Sequence, residues 1–552
     1  MLTALIPAAL RPRLRSVLTR QRRLVALTTA VVRPRPERLV RRRAWALLDR
    51  GDALGAYAVV TQAGVGTVDA GTRRQLWYAL EQQGYLGRAL ELAETCPVRG
   101  ARDRWRRDRL RGHLAVLSGA FVPTVAPPAD PYEPVPGRVL HVVKNSLPRT
   151  QAGYTLRTHF IATAQAGAGL DPHVVTEMGF AADATTPEVV DGIPYHRVPG
   201  PVRDAVPLDA WLAAHVTGVA DLVRRLRPAV LHAASDYLNA LTAQAVGRAY
   251  GIPVVYESRG FWEETWLSRQ VHQYGWDLDR LAARDELPDA YVLRRDLEDR
   301  LRREADRVVT LSAPMVDRIA AGGVPRDRIV VVPNAVDTDA FPVLTRDEAV
   351  ARRLGIDADT TVIGYISSLN EYEGADTLIS AYSLVKAQWA RPVRLLLVGD
   401  GPYRDNLVRH AARLGLTDVI FTGRVPHTEI LGYYSLIDLF VVPRRPTGVA
   451  HLVTPLKPYE AFSTGRTVVL SNVRALAALA EQSGAAELFE AGDAQSLAKV
   501  LLALLAAPAR RRHLAETGAA WVRSHASWAA NAATYRTLYA ELGALAGADG
   551  RP

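Results

Sequence analysis

The sequence predicts an α/β protein with two facing Rossmann-like doubly wound domains, preceded by a small α-helical domain. Three observations support this fold class. Short apolar segments typical of buried strands alternate with helical segments from residue 138 onwards. The alternation runs through two successive series, whereas residues 38–115 before it show a helical pattern. Because parallel strands need helical crossovers, each series predicts a parallel sheet with helices on both faces.

The composition is that of a globular protein with sizeable cores. Of the 552 residues, 48% are apolar and 23% are charged, and this length allows three or four domains. The single cysteine, Cys96, excludes an intrachain disulfide and a cysteine-rich zinc site, which agrees with a reducing compartment. We find no run of about 18 apolar residues and no signal-peptide pattern. We therefore expect a cytoplasmic protein.

The net charge of +11 is concentrated at the beginning of the chain. Residues 1–113 hold 23 arginines, no lysine and 9 acidic residues, for a charge of +14, whereas the remainder carries −3. Within residues 1–37, arginines alternate with leucines and valines, which predicts a basic, mildly amphipathic segment. This pattern favours either a peripheral contact with anionic lipid at the inner face of the membrane or a solvated basic tail.

Residues 38–120 are predicted to form an α-helical, tetratricopeptide-like domain. The segment that starts at Trp45 resembles the one that starts at Trp77, and Gly51 and Gly84 lie 33 residues apart, near the period of such repeats. Two units are too few for an independent solenoid, which favours a helical cap over a peptide-binding array. Residues 121–136 contain six prolines and are predicted to be a linker.

The remaining chain divides into a first α/β domain over residues 137–340, a second over residues 341–525, and a crossover helix with a tail over residues 526–552. The predicted strands of the first domain are 139–143, 230–232, 254–256, 308–312 and 329–332. Those of the second domain are 362–366, 393–398, 419–422, 436–442 and 467–470. Helices are predicted between these strands.

The segment 436–465 carries the clearest chemical pattern. A mostly apolar strand is followed by a proline-containing loop and by a short helix that starts near Lys457. Arg444 and Lys457 flank the loop, and Glu460 lies in the first helical turn. A helix N-terminus with two nearby cations suits a diphosphate, and a carboxylate there can accept hydrogen bonds from vicinal sugar hydroxyls. The pattern therefore predicts half of a nucleotide-sugar site.

These residues also resemble a known family. The string Lys457-Pro-Tyr-Glu-Ala-Phe-Ser-Thr-Gly465 is similar to the donor-site motif of the retaining family-4 glycosyltransferases, which have the GT-B fold of two Rossmann-like domains. Other strings that are similar to the family lie earlier in the chain, in the order that the family has, at 230–235, 255–263, 331–337, 395–402 and 421–427. The resemblance covers roughly residues 137–545 and leaves the basic, helical N-terminal region as an addition.

The resemblance implies a retaining hexosyltransferase that acts in polysaccharide biosynthesis. The donor would be a UDP- or GDP-sugar, the acceptor a glycan or a lipid-linked sugar, and no cofactor, metal or nucleic acid is expected. The implied donor-binding residues are Arg444, Lys457, Glu460 and Gly153. The implied catalytic residues are His232 and Glu460, and the implied acceptor-binding residues are Tyr154, Arg259, Trp262 and Glu263.

Several of these residues also have a simpler interpretation. His232 stands at the end of a predicted buried strand, where a histidine is often a hydrogen-bonded core residue. Arg259 could form a structural ion pair with Glu257 or Glu263. The loop that carries Gly153 could be a simple turn between a strand and a helix.

The sequence also departs from the family pattern. The arginine and the lysine that are usual in the first loop of the second domain fall on Ser368 and Glu373, and Leu452 stands where a second glutamate is common. We expect Arg444 and Lys457 to replace the missing cations. The alternative function is a catalytically weak glycosyltransferase-like scaffold that docks a partner or a membrane through its basic helical N-terminus; a sugar phosphorylase on the same fold is a weaker alternative.

Overall fold

The computed structural model describes residues 36–181 and 186–545. Residues 1–35 lie outside this range, and with them nearly all of the predicted basic segment. The chain divides into two compact units, of which the first comprises residues 1–83 and 88–98. Up to residue 98 the described chain forms one short 3₁₀ turn and four α-helices. The helices are α1 (Pro36–Leu48), α2 (Ala53–Gln62), α3 (Ala70–Gln82) and α4 (Leu86–Thr95).

Local capping and small-residue packing explain these helices. Asp52 and Asp69 accept hydrogen bonds from the backbone N–H groups of Gly55 and Thr72, which caps the N-termini of α2 and α3. Trp77 is fully buried, as are the small side chains Ala44, Ala53 and Ala56. Small residues at these positions let neighbouring helices approach closely.

The second compact unit comprises residues 84–87 and 99–552 and begins its main part with α5 (Ala101–Ser118). Its buried side chains Leu110, Val116 and Leu117 explain why α5 packs against two helices of the first α/β domain, α7 (Leu208–Leu226) and α11 (Asp289–Glu304). This grouping differs from the predicted domain of residues 38–120, because the apolar face of α5 is covered by the α/β domain that follows it.

In the described chain, the first α/β domain contains an eight-stranded sheet in the order β3-β4-β2-β1-β5-β6-β7-β8. Neighbouring strands are parallel except β3 and β4, which form an antiparallel edge. The strands are β1 (Val135–Val143), β2 (Asp171–Thr176), β3 (Glu188–Val190), β4 (Ile193–His196), β5 (Pro228–Ala234), β6 (Val254–Ser258), β7 (Arg307–Thr310) and β8 (Ile329–Val331). The other helices of this domain are α6 (Gly153–Gly167), α8 (Tyr237–Tyr250), α9 (Trp262–Tyr274), α10 (Leu278–Ala283) and α12 (Ala313–Ala321).

The second α/β domain contains, within the described residues, a six-stranded parallel sheet in the order β11-β10-β9-β12-β13-β14. Its strands are β9 (Thr361–Ile366), β10 (Val393–Val398), β11 (Val419–Phe421), β12 (Leu439–Val442), β13 (Thr467–Ser471) and β14 (Ala486–Phe489). Its helices are α13 (Glu348–Arg353), α14 (Ala375–Gln388), α15 (Arg404–Arg413), α16 (Ile430–Leu436), α17 (Gly448–Leu452), α18 (Lys457–Ser463), α19 (Arg474–Ser483), α20 (Ala494–Ala506) and α21 (Pro508–His525). The predicted fold class, two doubly wound α/β domains after a helical region, is confirmed.

The final helix, α22 (Trp528–Glu541), returns to the first domain and packs against α6. Tyr535 and Tyr539 are fully buried in the same apolar cluster as Val139 and Val230 of the central strands. The first α/β domain is therefore completed by the end of the chain.

Across residues 36–181 and 186–545, the structure contains no helix with both the length and the apolar character needed to span a bilayer.

Candidate active site

A cleft of about 730 Å³ lies between the two α/β domains. Its walls come from loops that follow parallel strands, the place where open α/β sheets bind ligands. The first domain contributes the loops after β1 and β6 and the start of α6. The second contributes the loops after β9, β10, β11 and β12 and the start of α18. Six of the predicted site residues line this cleft: Gly153, Tyr154, Arg259, Arg444, Lys457 and Glu460.

Lys457 and Glu460 form a contact pair at the wall of the cleft. The Lys457 Nζ atom lies 2.8 Å from Glu460 Oε2, which also accepts a hydrogen bond of 2.6 Å from the buried Tyr434 hydroxyl. Only about a tenth of the Glu460 side chain is exposed, so this carboxylate is more enclosed than its first-turn position suggests. Both of these hydrogen bonds use Oε2, which leaves Oε1 for a ligand.

Arg444 lies at the cleft wall, where its positive charge is paired with the carboxylate of Glu373. Its guanidinium donates to both carboxylate oxygens of Glu373, at 3.1 and 3.0 Å, and to the Val453 carbonyl at 2.8 Å. The side chains of Arg444 and Glu373 are nearly buried, and although burial lowers the pKa of Arg444, Glu373 raises it above its usual range. The sequence predicts that Arg444 replaces a missing cation. In the structure it is half of an ion pair that joins two loops of the cleft.

Glycines let these loops approach each other. Gly374 has φ +71°, and a Cβ atom there would lie 1.9 Å from the Pro443 carbonyl oxygen. Gly399 has φ +129°, and a Cβ atom there would meet the Ser367 carbonyl oxygen at the same distance. Side chains at these positions would force apart the loops after β9, β10 and β12. Both glycines are therefore required by the protein itself.

Gly153 differs from these glycines. It is the first residue of α6, where the Ala152 N–H donates to Thr155 Oγ1 at 2.9 Å and so caps the helix. A Cβ atom at position 153 would come no closer than 3.9 Å to its nearest neighbour, a Leu456 methyl carbon. The protein tolerates a side chain there, so any requirement for glycine must come from a ligand in the cleft.

Arg259 and Tyr154 form the first-domain wall. Arg259 donates to the Tyr154 carbonyl at 3.1 Å, to Thr158 Oγ1 at 2.6 Å and to Glu257 Oε2 at 2.7 Å. The ring of Trp262 packs edge-on against Tyr154, with 6.5 Å between the ring centroids, and is 38% exposed. Trp262 is not among the residues that line the cleft, so the structure does not place it in the acceptor site.

Glu263 does not face the cleft, which corrects its assignment to the acceptor site. Its side chain is fully buried, 3.9 Å from the guanidinium of Arg302. Burial, together with the nearby charge of Glu298, raises the pKa of Glu263 to about 7. The first turn of α9 directs this side chain towards α11, so it belongs to a buried charged cluster.

His232 is also separated from the cleft, so the expected direct contact with a sugar is not made. It is fully buried in β5, where Nδ1 lies 2.6 Å from the Tyr539 hydroxyl and Nε2 lies 3.1 Å from Glu257 Oε2. Burial lowers its pKa, which favours the neutral ring. The simpler interpretation, a hydrogen-bonded core histidine, describes its surroundings.

Glu257 links this buried network to the cleft. Although burial raises the pKa of its carboxyl, the charges of Arg259 and Arg157 lower it well below the usual range. Arg157 donates to Glu257 Oε1 at 2.9 Å and to Asn334 Oδ1 at 2.9 Å. Asn334 in turn donates to the Thr454 carbonyl of the second domain at 2.7 Å. Glu257 thereby orients two arginines that line the cleft.

Sequence reasoning missed three arginines of the cleft, namely Arg149, Arg157 and Arg424. Arg149 lies in the loop that carries Gly153, and Arg424 lies in the string at 421–427, but a loop pattern does not indicate which side chains turn inwards. Arg149 is bound to Glu188, 2.8 Å away, and remains 43% exposed. Arg424 is exposed at the cleft wall of the second domain.

In the part of the chain that the structure describes, no three His, Cys, Asp or Glu side chains come together in a way that could hold a metal ion.

Two domain families match this chain. Residues 152–335 match the family described as "Glycosyl transferase 4-like domain", and residues 360–507 match "Glycosyl transferases group 1". Each match falls within one of the two α/β domains; the first begins at α6, after β1, and the second ends before α21. The helical residues before β1 lie outside both.

Several curated proteins are similar to this chain. A GDP-mannose-dependent phosphatidylinositol monomannoside mannosyltransferase of Mycolicibacterium smegmatis is 27% identical over 47% of this chain and 66% of its own length. A 2-deoxystreptamine N-acetyl-D-glucosaminyltransferase of Streptomyces fradiae is 29% identical over 42% of this chain and 53% of its own length. The chain thus spans less than two thirds of either relative.

Solved structures show the same fold. Sucrose-phosphate synthase from Thermosynechococcus elongatus superposes with a TM-score of 0.59 at 19% identity, covering 74% of this chain and 99% of that one. Anabaena HepE superposes with a TM-score of 0.55 at 17% identity, covering 73% of this chain and all of that one.

Proposed function

The chain belongs to the group 1 glycosyltransferases of the family-4 type, which have the GT-B fold, and we propose that it transfers a hexose from a nucleoside-diphosphate sugar to a glycan or lipid-linked acceptor with retention of configuration. The donor is a UDP- or GDP-sugar. The curated relatives support this class of donor, because the name of one of them specifies GDP-mannose.

The observation that carries the proposal is the contact pair of Lys457 and Glu460 in the cleft between two α/β domains. Glu460 Oε1 would accept hydrogen bonds from vicinal hydroxyls of the donor. The Lys457 ammonium, 29% exposed, would contact the diphosphate. Arg149 is paired with Glu188 as Arg444 is with Glu373. The exposed Arg424 brings a further positive charge to the same cleft, where it would contact the diphosphate beside Lys457.

In the proposed reaction an acceptor hydroxyl oxygen bonds to the anomeric carbon while the bond to the diphosphate breaks. The hydroxyl proton passes to an oxygen of the leaving phosphate. The protein then supplies positioning and charge stabilisation instead of a strong base. Arg259, which Glu257 and Thr158 hold in place, would orient the acceptor from the first domain.

Contacts between the two domains would keep water from the reacting bond. The Ser312 hydroxyl donates to the Leu452 carbonyl at 2.9 Å, and Asn334 donates to the Thr454 carbonyl at 2.7 Å. Both acceptors precede α18, which carries Lys457 and Glu460. Opening and closing of these contacts would admit the donor and release the product.

Thermal stabilisation by nucleotide sugars tests the donor class. UDP- and GDP-sugars are titrated against the full chain, and we expect saturable stabilisation by one of the two nucleotides. Nuclear magnetic resonance of the transfer product then gives the anomeric configuration, for which we expect retention. Activity should persist in EDTA, because the proposed phosphate contacts are cationic side chains. Stabilisation by neither nucleotide would contradict the proposal and favour a non-catalytic scaffold.

We propose that the acceptor is reached from the cytoplasm, at the inner face of the membrane. The basic residues 1–37 support a peripheral contact with anionic lipid, because each arginine near such a surface contributes roughly 1 kcal/mol.

A further inference from the structure

A cluster of basic side chains lies at the carboxyl end of the first sheet, outside the cleft lining described above. Arg109 and His113 occupy one face of α5, one turn apart. Arg203 lies in the 3₁₀ turn before α7, and Arg294 lies in the second turn of α11. We refer to these four residues as the basic cluster.

The basic cluster lies beside the cleft. Arg203 pairs with Glu177, which follows β2, and Arg294 pairs with Asp236, which follows β5; both ion pairs are 3.2 Å long. Asp236 is adjacent in the chain to Ser235, whose hydroxyl accepts a hydrogen bond of 3.2 Å from the Arg259 N–H. Arg259 itself lines the cleft. The cluster therefore shares a sheet edge with the first-domain wall.

Several donors of the cluster have no acceptor. The Arg294 Nε atom is buried without a hydrogen-bond partner. In the described part of the chain, the guanidinium of Arg109 contacts no carboxylate and packs over the ring of Trp105, 5.3 Å from its centre. The ion pairs of Arg203 and Arg294 therefore leave the Arg109 guanidinium without a carboxylate and the Arg294 Nε–H without an acceptor.

The electrostatics favour an anion at this place. Burial, and then the charges of the three arginines, lower the pKa of His113 to about 4, although the nearby Asp204 carboxylate raises it. Burial also raises the pKa of Glu177 to about 7 in spite of its pairing with Arg203. Excess positive charge disfavours a second proton on His113, and its neutral ring still offers one N–H donor. An anion would supply the acceptor that these groups lack.

We propose that the basic cluster is a subsite for a phosphate group carried by the acceptor. This inference rests on the proposed function, because it assumes that an acceptor lies on the first domain. Guanidinium groups bind phosphate with paired, charge-assisted hydrogen bonds. Arg109 and His113 belong to α5, which lies outside both segments that match the glycosyltransferase families. The helical region before β1 would thereby contribute to the choice of acceptor.

Exposed apolar side chains lie beside the cluster, so the phosphate of a lipid fits this place as well as that of a soluble compound. Trp105 is 40% exposed, with its Nε1 atom 3.5 Å from the Ala205 carbonyl, and Val202 is 56% exposed. The phosphate is the chemistry common to both sources. The test therefore uses one soluble phosphate ester and one lipid.

The experiment follows the ring signals of His113 by nuclear magnetic resonance in the full chain with labelled histidine, while inorganic phosphate is added. His113→Gln assigns the signal. We expect saturable shifts and a rise in the pKa of His113. Arg109→Gln should weaken this binding about tenfold, because one charge-assisted interaction is lost. Arg111→Gln, two residues further along α5, removes the same charge from an exposed position and should change the affinity less than twofold.

Two further arms identify the source of the phosphate. Shifts with glycerol 3-phosphate but no Arg109-dependent binding to phosphatidylglycerol vesicles assign the site to a soluble phosphate ester. Arg109-dependent binding to those vesicles assigns it to a lipid. An unresponsive His113, or equal losses in Arg109→Gln and Arg111→Gln, overturns the proposal. Lys457→Ala should weaken donor binding and leave the His113 response to phosphate intact. A failure of the proposed donor site can therefore be distinguished from a failure of the phosphate subsite.

Discussion

At the scale of single residues, the cations that line the cleft differ in how their charges are paired. Arg444 and Arg259 are each tied to a buried glutamate, whereas Lys457 contacts a glutamate that keeps one oxygen free. An arginine that is paired with a buried glutamate positions a loop. Lys457, whose glutamate partner has one oxygen without a hydrogen bond, can exchange that partner for a ligand. We therefore expect activity to depend most directly on Lys457 and Glu460.

Glu460→Gln should lower transfer by about 10- to 100-fold while the protein stays folded. The amide keeps the shape of the side chain and removes the charge, and a hydrogen bond to a charged group contributes about 1.5–3 kcal/mol. The measurement is kcat/KM for transfer, with the melting temperature as the check on folding. Glu429→Gln, an exposed glutamate of the same domain, is the matched control. Wild-type turnover in Glu460→Gln would show that the donor assignment is wrong.

Gly153→Ala should weaken donor binding by about tenfold without loss of stability. The added methyl group meets no protein atom closer than 3.9 Å, so a loss of affinity would report contact with the ligand. Alanine is also the better helix former. The comparison is Gly167→Ala in the same helix, where the methyl group would enter open space. Equal donor affinity in both variants, measured by calorimetry, would remove Gly153 from the site.

At the scale of helices and strands, burial of ionisable side chains ties stability to pH. His215 of α7 stacks on Trp211 with 4.8 Å between ring centres, and both of its ring nitrogens are buried without a hydrogen-bond partner. Burial lowers the pKa of His215 to about 3. Since the pKa of this histidine is about 6.5 in the unfolded chain, the unfolded state binds the extra proton at intermediate pH.

His215→Phe should therefore gain stability relative to the wild type as the pH falls from 6.5 towards 4.5. The wild type loses about 1 kcal/mol per pH unit from this one group, and the variant has no proton to bind. The measurement is the difference in melting temperature between the two proteins across this range. A difference that does not change with pH would show that His215 is protonated in the folded protein.

The success of sequence reasoning also depended on scale. That Lys457 and Glu460 line the same cleft could be predicted because one short helix places them three residues apart. The pair of Arg444 and Glu373 joins residues that lie 71 positions apart, and no local pattern reveals such a contact. The strands β2 to β4 were missed because they are short and carry buried polar residues such as His196. Glu263 was misassigned because a loop pattern does not give the direction of the first turn of α9.

At the scale of the whole molecule, the domain grouping changes the choice of truncation. A protein that starts at residue 84 retains the second compact unit, whereas one that starts at residue 136 lacks α5 and uncovers the apolar surfaces of α7 and α11 that it packs against. We expect the first protein to melt near the wild-type temperature and to be stabilised by the donor nucleotide. The second should melt at a clearly lower temperature. Equal melting of the two would show that α5 is dispensable to the first α/β domain.

The same truncation separates location from chemistry. The full chain should bind vesicles of anionic lipid at low salt and release them at high salt, because exposed charges are screened. The protein that starts at residue 84 lacks most of the N-terminal arginines and should bind these vesicles more weakly by sedimentation. Equal binding by both would contradict a membrane contact through residues 1–37.

The return of α22 to the first domain also determines when that domain can finish folding during synthesis. Tyr535 and Tyr539 contact Glu257 and His232, which the ribosome adds 278 and 307 residues earlier. During synthesis the first α/β domain must wait, without its last helix, while the entire second domain emerges. A stop codon shortly before α22 would therefore destabilise the first α/β domain, which is translated first, and leave the second α/β domain nearly complete.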